Sequence, residues 1–190
     1  MEKRKHLTVF EINALLVAAS ESFYPERNYC LIYMCFLHGC RVSELNQIKL
    51  SDIDMGSASL SLRRLKNGLC TQQPLIASEM AVLRRWLEVR QRQPGANSPW
   101  LFLSRRGGML SRQQIYEVMR ECGERAGLSV AVHPHMLRHA CGYAMAEKGI
   151  DTRLIQDYLG HRNIRHTVLY TASNMRRFQN IWQGEFPEEY

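Results

Sequence analysis

Helix-opening residues and helix-closing glycines alternate along most of this 190-residue chain, and that punctuation confines it to a set of short, packed helices. Thr8 followed by Glu11 is a capping box ahead of "EINALLVAAS". Pro25 suits the first turn of "ERNYCLIYMCFLH", which is apolar on most sides and so belongs at the centre, with Gly39 past its end. A short third helix follows in "SELNQI". Further on, Ser111 opens "RQQIYEVMRECGERA" before Gly127, and Pro134 opens "HMLRHACGYAMAEK" before Gly149. Asp151 opens "TRLIQDYL" before Gly160, and two short helices are expected at about 163–170 and 173–182.

One stretch breaks the helical period. "ASLSLRRLKNGLCTQQPLI" alternates in part, and Asn67-Gly68 is a strong two-residue hairpin signal that places Lys66 at the mouth of a β-turn. Helical spacing returns in "EMAVLRRWLEVRQRQ" and stops before Pro94-Gly95, after which "WLFLSRRGGML" reads as a short strand and turn. The expected class is α+β, mostly α-helical with a small antiparallel sheet. The length suits a single domain over 1–190, ending in an acidic tail at 183–190.

Charge narrows the partner. The net charge is +7, and basic doublets recur at Arg63-Arg64, Arg84-Arg85, Arg105-Arg106 and Arg176-Arg177, which favours a polyanion and above all nucleic acid. No apolar run approaches the ~20 residues of a membrane span. The N-terminus lacks a signal peptide's apolar region, so a cytoplasmic protein without membrane contact is expected. The six cysteines, at 30, 35, 40, 70, 122 and 141, form no CxxC pair and read as buried reduced thiols.

The chemistry turns on "LGHRNIRHTVLY", residues 159–170. Alone it fits a polar helix, a metal site, a DNA-reading helix or a reactive Tyr170. A tyrosine nucleophile starts with a handicap: with a pKa near 10 only ~0.1% is phenolate at pH 7, a cost of roughly 4 kcal/mol. It needs a proton acceptor and a strongly positive setting. "HPHMLRH" offers both, since His135 and Arg138 are three apart and share a helix face. The arginine supplies a permanent charge in a fork that matches two phosphate oxygens, and the histidine can exchange a proton near neutrality. Arg41, at the start of "RVSEL", adds charge where helix N–H groups already favour anions, and Glu44 buttresses it or merely makes a surface ion pair. A zinc set from His133, His135, His139, His161 and His166 is disfavoured: Arg138 sits among them, with no Cys, Asp or Glu at ligand spacing.

Together these pieces resemble the tyrosine recombinase (phage integrase) family. Arg41-Val42-Ser43-Glu44, Lys66 before Asn67-Gly68, His135-Met136-Leu137-Arg138, His161 in "YLGH" and Tyr170 fill that family's signature in order. Longer blocks, "FLSRRGGMLSRQQIY" and "GIDTRLIQDYLGHRNIRHTVLYTASN" among them, are similar to the small bacterial fimbrial switch recombinases. The resemblance implies the recombinase catalytic-domain fold, beginning at about Thr8 and so without a separate N-terminal core-binding domain. It implies Tyr170 as nucleophile, Arg41 and Arg138 on the phosphate oxygens, and His161 hydrogen-bonding one of them. His135 would take the phenol proton and Lys66 would protonate the leaving 5′-oxygen, with no cofactor or metal. It further implies inversion of a promoter-bearing segment in fimbrial phase variation. The partners would be double-stranded DNA with inverted-repeat sites, self-association to a tetramer on DNA, and DNA-bending accessory proteins.

Three rivals share some of these features. A type IB topoisomerase-like nicking-closing enzyme uses similar chemistry. A non-enzymatic transcription regulator could use 151–170 as a helix-turn-helix, but has no need of Lys66 at a hairpin mouth or of an exposed tyrosine. An RNA-binding module would carry aromatic stacking motifs that this chain lacks.

Overall fold

The structure, a computed structural model, describes residues 5–64 and 70–172. Lys66, the Asn67-Gly68 turn, the helix expected at 173–182 and the acidic tail lie outside the described residues.

In chain order the elements are α1 (Val9–Ser20), α2 (Pro25–Leu37), α3 (Val42–Leu45), a 3-10 turn (Leu50–Asp52), β1 (Ile53–Asp54), β2 (Ser59–Leu62), β3 (Thr71–Pro74), α4 (Ala77–Arg90), α5 (Arg112–Arg125), α6 (Pro134–Glu147), α7 (Thr152–Leu159) and α8 (Arg165–Thr171). The capping box is formed: the Glu11 carboxylate accepts the Thr8 N–H while the Thr8 hydroxyl accepts the Glu11 N–H. Helix α2 is central. It packs against α1, α4 and α6, and Cys30, Leu31, Ile32, Met34 and Cys35 are fully buried on several sides of it. Burying an aliphatic side chain of this size contributes about 1.5–3 kcal/mol, which explains why a helix apolar nearly all round is stable only here. A second, smaller cluster of Cys141, Ala146, Ile155, Leu159 and Tyr170 joins α6, α7 and α8. No described helix is long and apolar enough to cross a membrane.

The sheet is antiparallel, in the order β1-β2-β3. The observed antiparallel register sets Leu62 opposite Thr71 and Leu60 opposite Gln73. This register buries Leu60, Leu62 and Gln73 together on one face. One sequence expectation is corrected: the strand expected in "WLFLSRRGGML" reduces to isolated bridges, Lys49 with Trp100 and Leu103 with Met109. What shapes that segment is Arg90, whose guanidinium donates to the carbonyls of Ala96, Ser98, Trp100 and Leu101.

Candidate active site

Helix α6 supplies most of the site because four residues fall on one of its faces. Pro134 takes the first helical position and leaves His133 extended outside it, so His135, Arg138, His139 and Gly142 line up at i, i+3, i+4 and i+7. Arg138 is buried. Its Nη1 donates to the Gly39 carbonyl and its Nη2 to the Leu159 carbonyl at 2.7 Å, bridging the chain just past α2 and the end of α7. Burial, and then the charge of Arg41, lower its pKa to about 10, so it remains a cation at neutral pH.

One carboxylate organises the cations. Glu44 is buried; its Oε1 accepts from Arg41 Nη1 at 2.7 Å, and its Oε2 accepts from Arg64 Nη1 at 2.9 Å and from the Arg41 N–H at 2.9 Å. Arg138 Nη1 stands 3.8 Å from the same Oε2. Burial pushes the Glu44 carboxyl up, but the Arg41 N–H and the Arg64, Arg41 and Arg138 guanidiniums outweigh it and hold the group below its usual range. Three guanidiniums therefore share a single carboxylate, leaving an excess of positive charge beside the pocket.

Arg64 is a residue that sequence reasoning passed over, having treated it as half of a basic doublet. It is buried, and it also donates to the carbonyls of His38 and Tyr158. A signal was present: Arg64 continues the inward register of Leu60 and Leu62. Gly160 makes room for it, since a Cβ there would come within 2.7 Å of Arg64 Cγ, and its left-handed φ of 65° turns the chain toward His161. His161 Nδ1 is 2.9 Å from the buried Thr167 hydroxyl, and its ring lies roughly parallel to that of Tyr170. Burial, and then Arg138 and Arg41, bring its pKa down to about 3, so the ring is neutral.

Tyr170 corrects a second expectation. It is 2% exposed rather than presented to solvent. On α8 it falls on the inward face with Thr167 and Thr171, while Val168 and Leu169 point outward. Its ring lies against Gly142 and edge-on to Tyr143, and its hydroxyl is 3.0 Å from His139 Nδ1. Burial raises its pKa to about 12, opposed by the nearby Arg138. The histidine on the phenol is thus His139, which the sequence reading weighed only as a metal ligand. His135, assigned the phenol proton by resemblance, is exposed and stands edge-on to His139 with ring centroids 4.5 Å apart. Arg41, His135, Arg138, His139, His161 and Tyr170 together line one open pocket of about 950 Å³. Among the described residues no group of His, Cys, Asp or Glu is placed to hold a metal ion.

Comparison with known proteins places this geometry. The chain is 54% identical over 181 residues to the type 1 fimbriae regulatory protein FimB of Escherichia coli K12, an alignment covering 95% of this chain and 90% of that protein. It is 50% identical over 184 residues to the type 1 fimbriae regulatory protein FimE of the same strain, covering 96% and 93%. The crystal structure of the XerH site-specific recombinase bound to a palindromic difH substrate, a post-cleavage complex, superposes with a TM-score of 0.79 at 25% identity. That match covers 94% of this chain and 53% of the XerH chain, so the protein spans about half of that recombinase. Residues 5–177 match the phage integrase family. The chain belongs to the phage integrase family and is a tyrosine-type site-specific recombinase.

Proposed function

We propose that the protein cuts and rejoins double-stranded DNA at paired inverted-repeat sites through a 3′-phosphotyrosyl link on Tyr170, inverting a promoter-bearing segment in fimbrial phase variation. The observation that carries this reading is the placement of the Tyr170 hydroxyl in the same pocket as Arg41, Arg138 and His161 within a single chain. The similarity to FimB and FimE over nearly their whole lengths supports the fimbrial assignment.

Tyr170 Oη attacks the scissile phosphorus, and the non-bridging oxygens gain charge at the five-coordinate stage. Arg41 and Arg138 meet that charge with donors already fixed by Glu44, Gly39 and Leu159, so little reorganisation is required. His161, oriented by Thr167, donates a hydrogen bond to one of those oxygens. Lys66 protonates the departing 5′-oxygen. The phosphodiester bond is conserved in the phosphotyrosyl link, so a 5′-hydroxyl from the partner strand can reverse the step without a nucleotide cofactor. The basic surface binds double-stranded DNA, and the reaction runs in a tetramer assembled on two sites with DNA-bending accessory proteins, in the bacterial cytoplasm at the nucleoid.

The test is a nicked suicide substrate that traps the covalent complex under denaturing conditions. The wild-type chain forms it and Tyr170→Phe does not; equal yield from both would remove Tyr170 as nucleophile. With a 5′-bridging sulfur in the DNA, Lys66→Ala regains most of its lost cleavage rate, whereas equal slowing on both substrates would remove Lys66 as the acid.

A further inference from the structure

We propose that His139, rather than His135, takes the phenol proton of Tyr170, and that Gly142 is the seat that holds the tyrosine ring where that transfer can occur. This rests on the reading of Tyr170 as the nucleophile.

Two contacts carry it. The Tyr170 hydroxyl is 3.0 Å from His139 Nδ1, within proton-transfer reach. One helical turn further along α6, a Cβ on Gly142 would come within 2.6 Å of Tyr170 Cε2, 2.7 Å of Cζ and 2.8 Å of Cδ2. Any side chain there displaces the ring, and with it the hydroxyl. His139 and Gly142 therefore continue the His135/Arg138 face of α6 by one turn and together form a dock for the nucleophile.

Titratable and charged groups surround His139. The groups that face it are His135 and Arg138 on its own helix, Lys5 and His6 from the N-terminal segment, His161 from the turn after α7, and Tyr170 on α8. Burial and then His135, Arg138, His6 and Lys5 lower its pKa to about 4, so the ring is neutral and open to a proton at physiological pH. A phosphate entering the pocket brings negative charge and offsets the surrounding cations. The ring becomes a stronger base only when substrate is present. His135, exposed and edge-on to His139, is left to face the entering phosphate. In the step itself the Tyr170 O–H bond breaks and its proton goes to His139 Nδ1. The electron pair on Oη forms the bond to phosphorus, and the P–O5′ bond breaks as the 5′-oxygen takes a proton from Lys66. Rejoining returns the proton from His139 to the phenol.

Single-turnover formation of the covalent complex, measured against pH alongside DNA affinity, tests this. The wild-type chain must first form the complex; if it does not, the nucleophile reading fails and this one with it. Given that control, His139→Asn should slow the step about 100-fold or more and flatten the acid limb of the pH profile, with DNA affinity unchanged within about twofold. His135→Asn keeps the acid limb. Gly142→Ala slows the step with the acid limb intact, as expected of a positioning residue. Should His139→Asn fail to fold by thermal melting, His139→Ala with added imidazole recovers rate in proportion to the neutral imidazole. An acid limb kept by His139→Asn and lost in His135→Asn, a rate within about threefold of wild type, or no imidazole recovery would overturn the assignment.

Discussion

Arg90 and Arg138 are equally buried, each 2% exposed, yet they sit in opposite states. Arg90 spends its donors on carbonyls: Nε reaches Trp100 and Leu101, Nη1 reaches Ala96, and Nη2 reaches Ser98 and Trp100. It is a staple for the chain between α4 and α5. Among the described residues Arg138 donates to the Gly39 and Leu159 carbonyls, and it lines an open pocket that it shares with Arg41. Burial alone lowers the pKa of Arg90, whereas Arg138 is lowered by burial and by a neighbouring cation. A buried arginine spent on carbonyls holds the chain, while one that lines a pocket crowded by like charges is prepared for an anion.

The sharpest way to break that contrast is to remove each arginine. Arg138→Ala should lower the rate of covalent-complex formation about 10³-fold, the upper range for losing a donor to a developing oxyanion. Arg90→Met leaves several carbonyls unsatisfied and should cost about 3 kcal/mol of stability, roughly 6–12 °C in Tm for a chain of this size. Its folded fraction should cleave within about twofold of wild type. A cleavage defect in Arg90→Met at unchanged Tm would collapse the distinction.

Half of this contrast was legible in the sequence, where the His135/Arg138 spacing marks Arg138; nothing there marks Arg90, one of several arginines in its helix. The helices were legible because caps and glycines act locally: Thr8, Ser111, Asp151 and Gly160 all stand at the helix ends the sequence assigned them. The strand expected in "WLFLSRRGGML" was not, because Arg90, from the preceding helix, draws the carbonyls of Ala96, Ser98, Trp100 and Leu101 onto its guanidinium. In the site, the motif spacing brought Arg41, His135, Arg138, His161 and Tyr170 to one pocket. It could not reveal Arg64, which is recruited across the fold by Glu44, Gly160 and the end of α7. Nor could it reveal that the tyrosine is docked against α6, since that depends on an absent side chain at Gly142.

Glu44→Gln sharpens the comparison at intermediate size. The substitution removes the negative charge that Arg41, Arg64 and Arg138 share, and it sets an amide NH2 where one of the two accepting oxygens stood. Breaking a buried ion pair costs about 3–5 kcal/mol, and a loss in that range is expected here. Arg41, no longer clamped, should slow covalent-complex formation about tenfold, while affinity for non-specific DNA rises about twofold in the stronger positive field. Nothing comparable should follow at the Arg90 end, whose guanidinium bonds are to carbonyls. Tighter DNA binding without slower cleavage would mean that Glu44 screens charge without positioning Arg41.

The smallest effect is a pH dependence confined to the active-site end. His139 and His161 have pKa values lowered to about 4 and about 3, against about 6.5 in an unfolded chain. Between these limits the folded protein binds fewer protons than the unfolded one, so stability rises with pH through the window. The contribution is fully present above about pH 6.5 and is lost as pH falls toward the folded values. Both rings are partly exposed, so the loss on going from pH 7 to pH 5.5 should be on the order of 1 kcal/mol rather than the full linkage value. Thermal melting across that range reads it directly. His139→Asn should make the curve shallower, whereas Arg90→Met should lower it throughout without changing its slope. DNA in the pocket reverses the cause, because a phosphate favours the protonated rings; binding near pH 6 should therefore take up protons, seen as a dependence of binding heat on the ionisation enthalpy of the buffer. A pH slope that survives His139→Asn and vanishes in Arg90→Met would place the proton-sensitive group at the wrong end of the molecule.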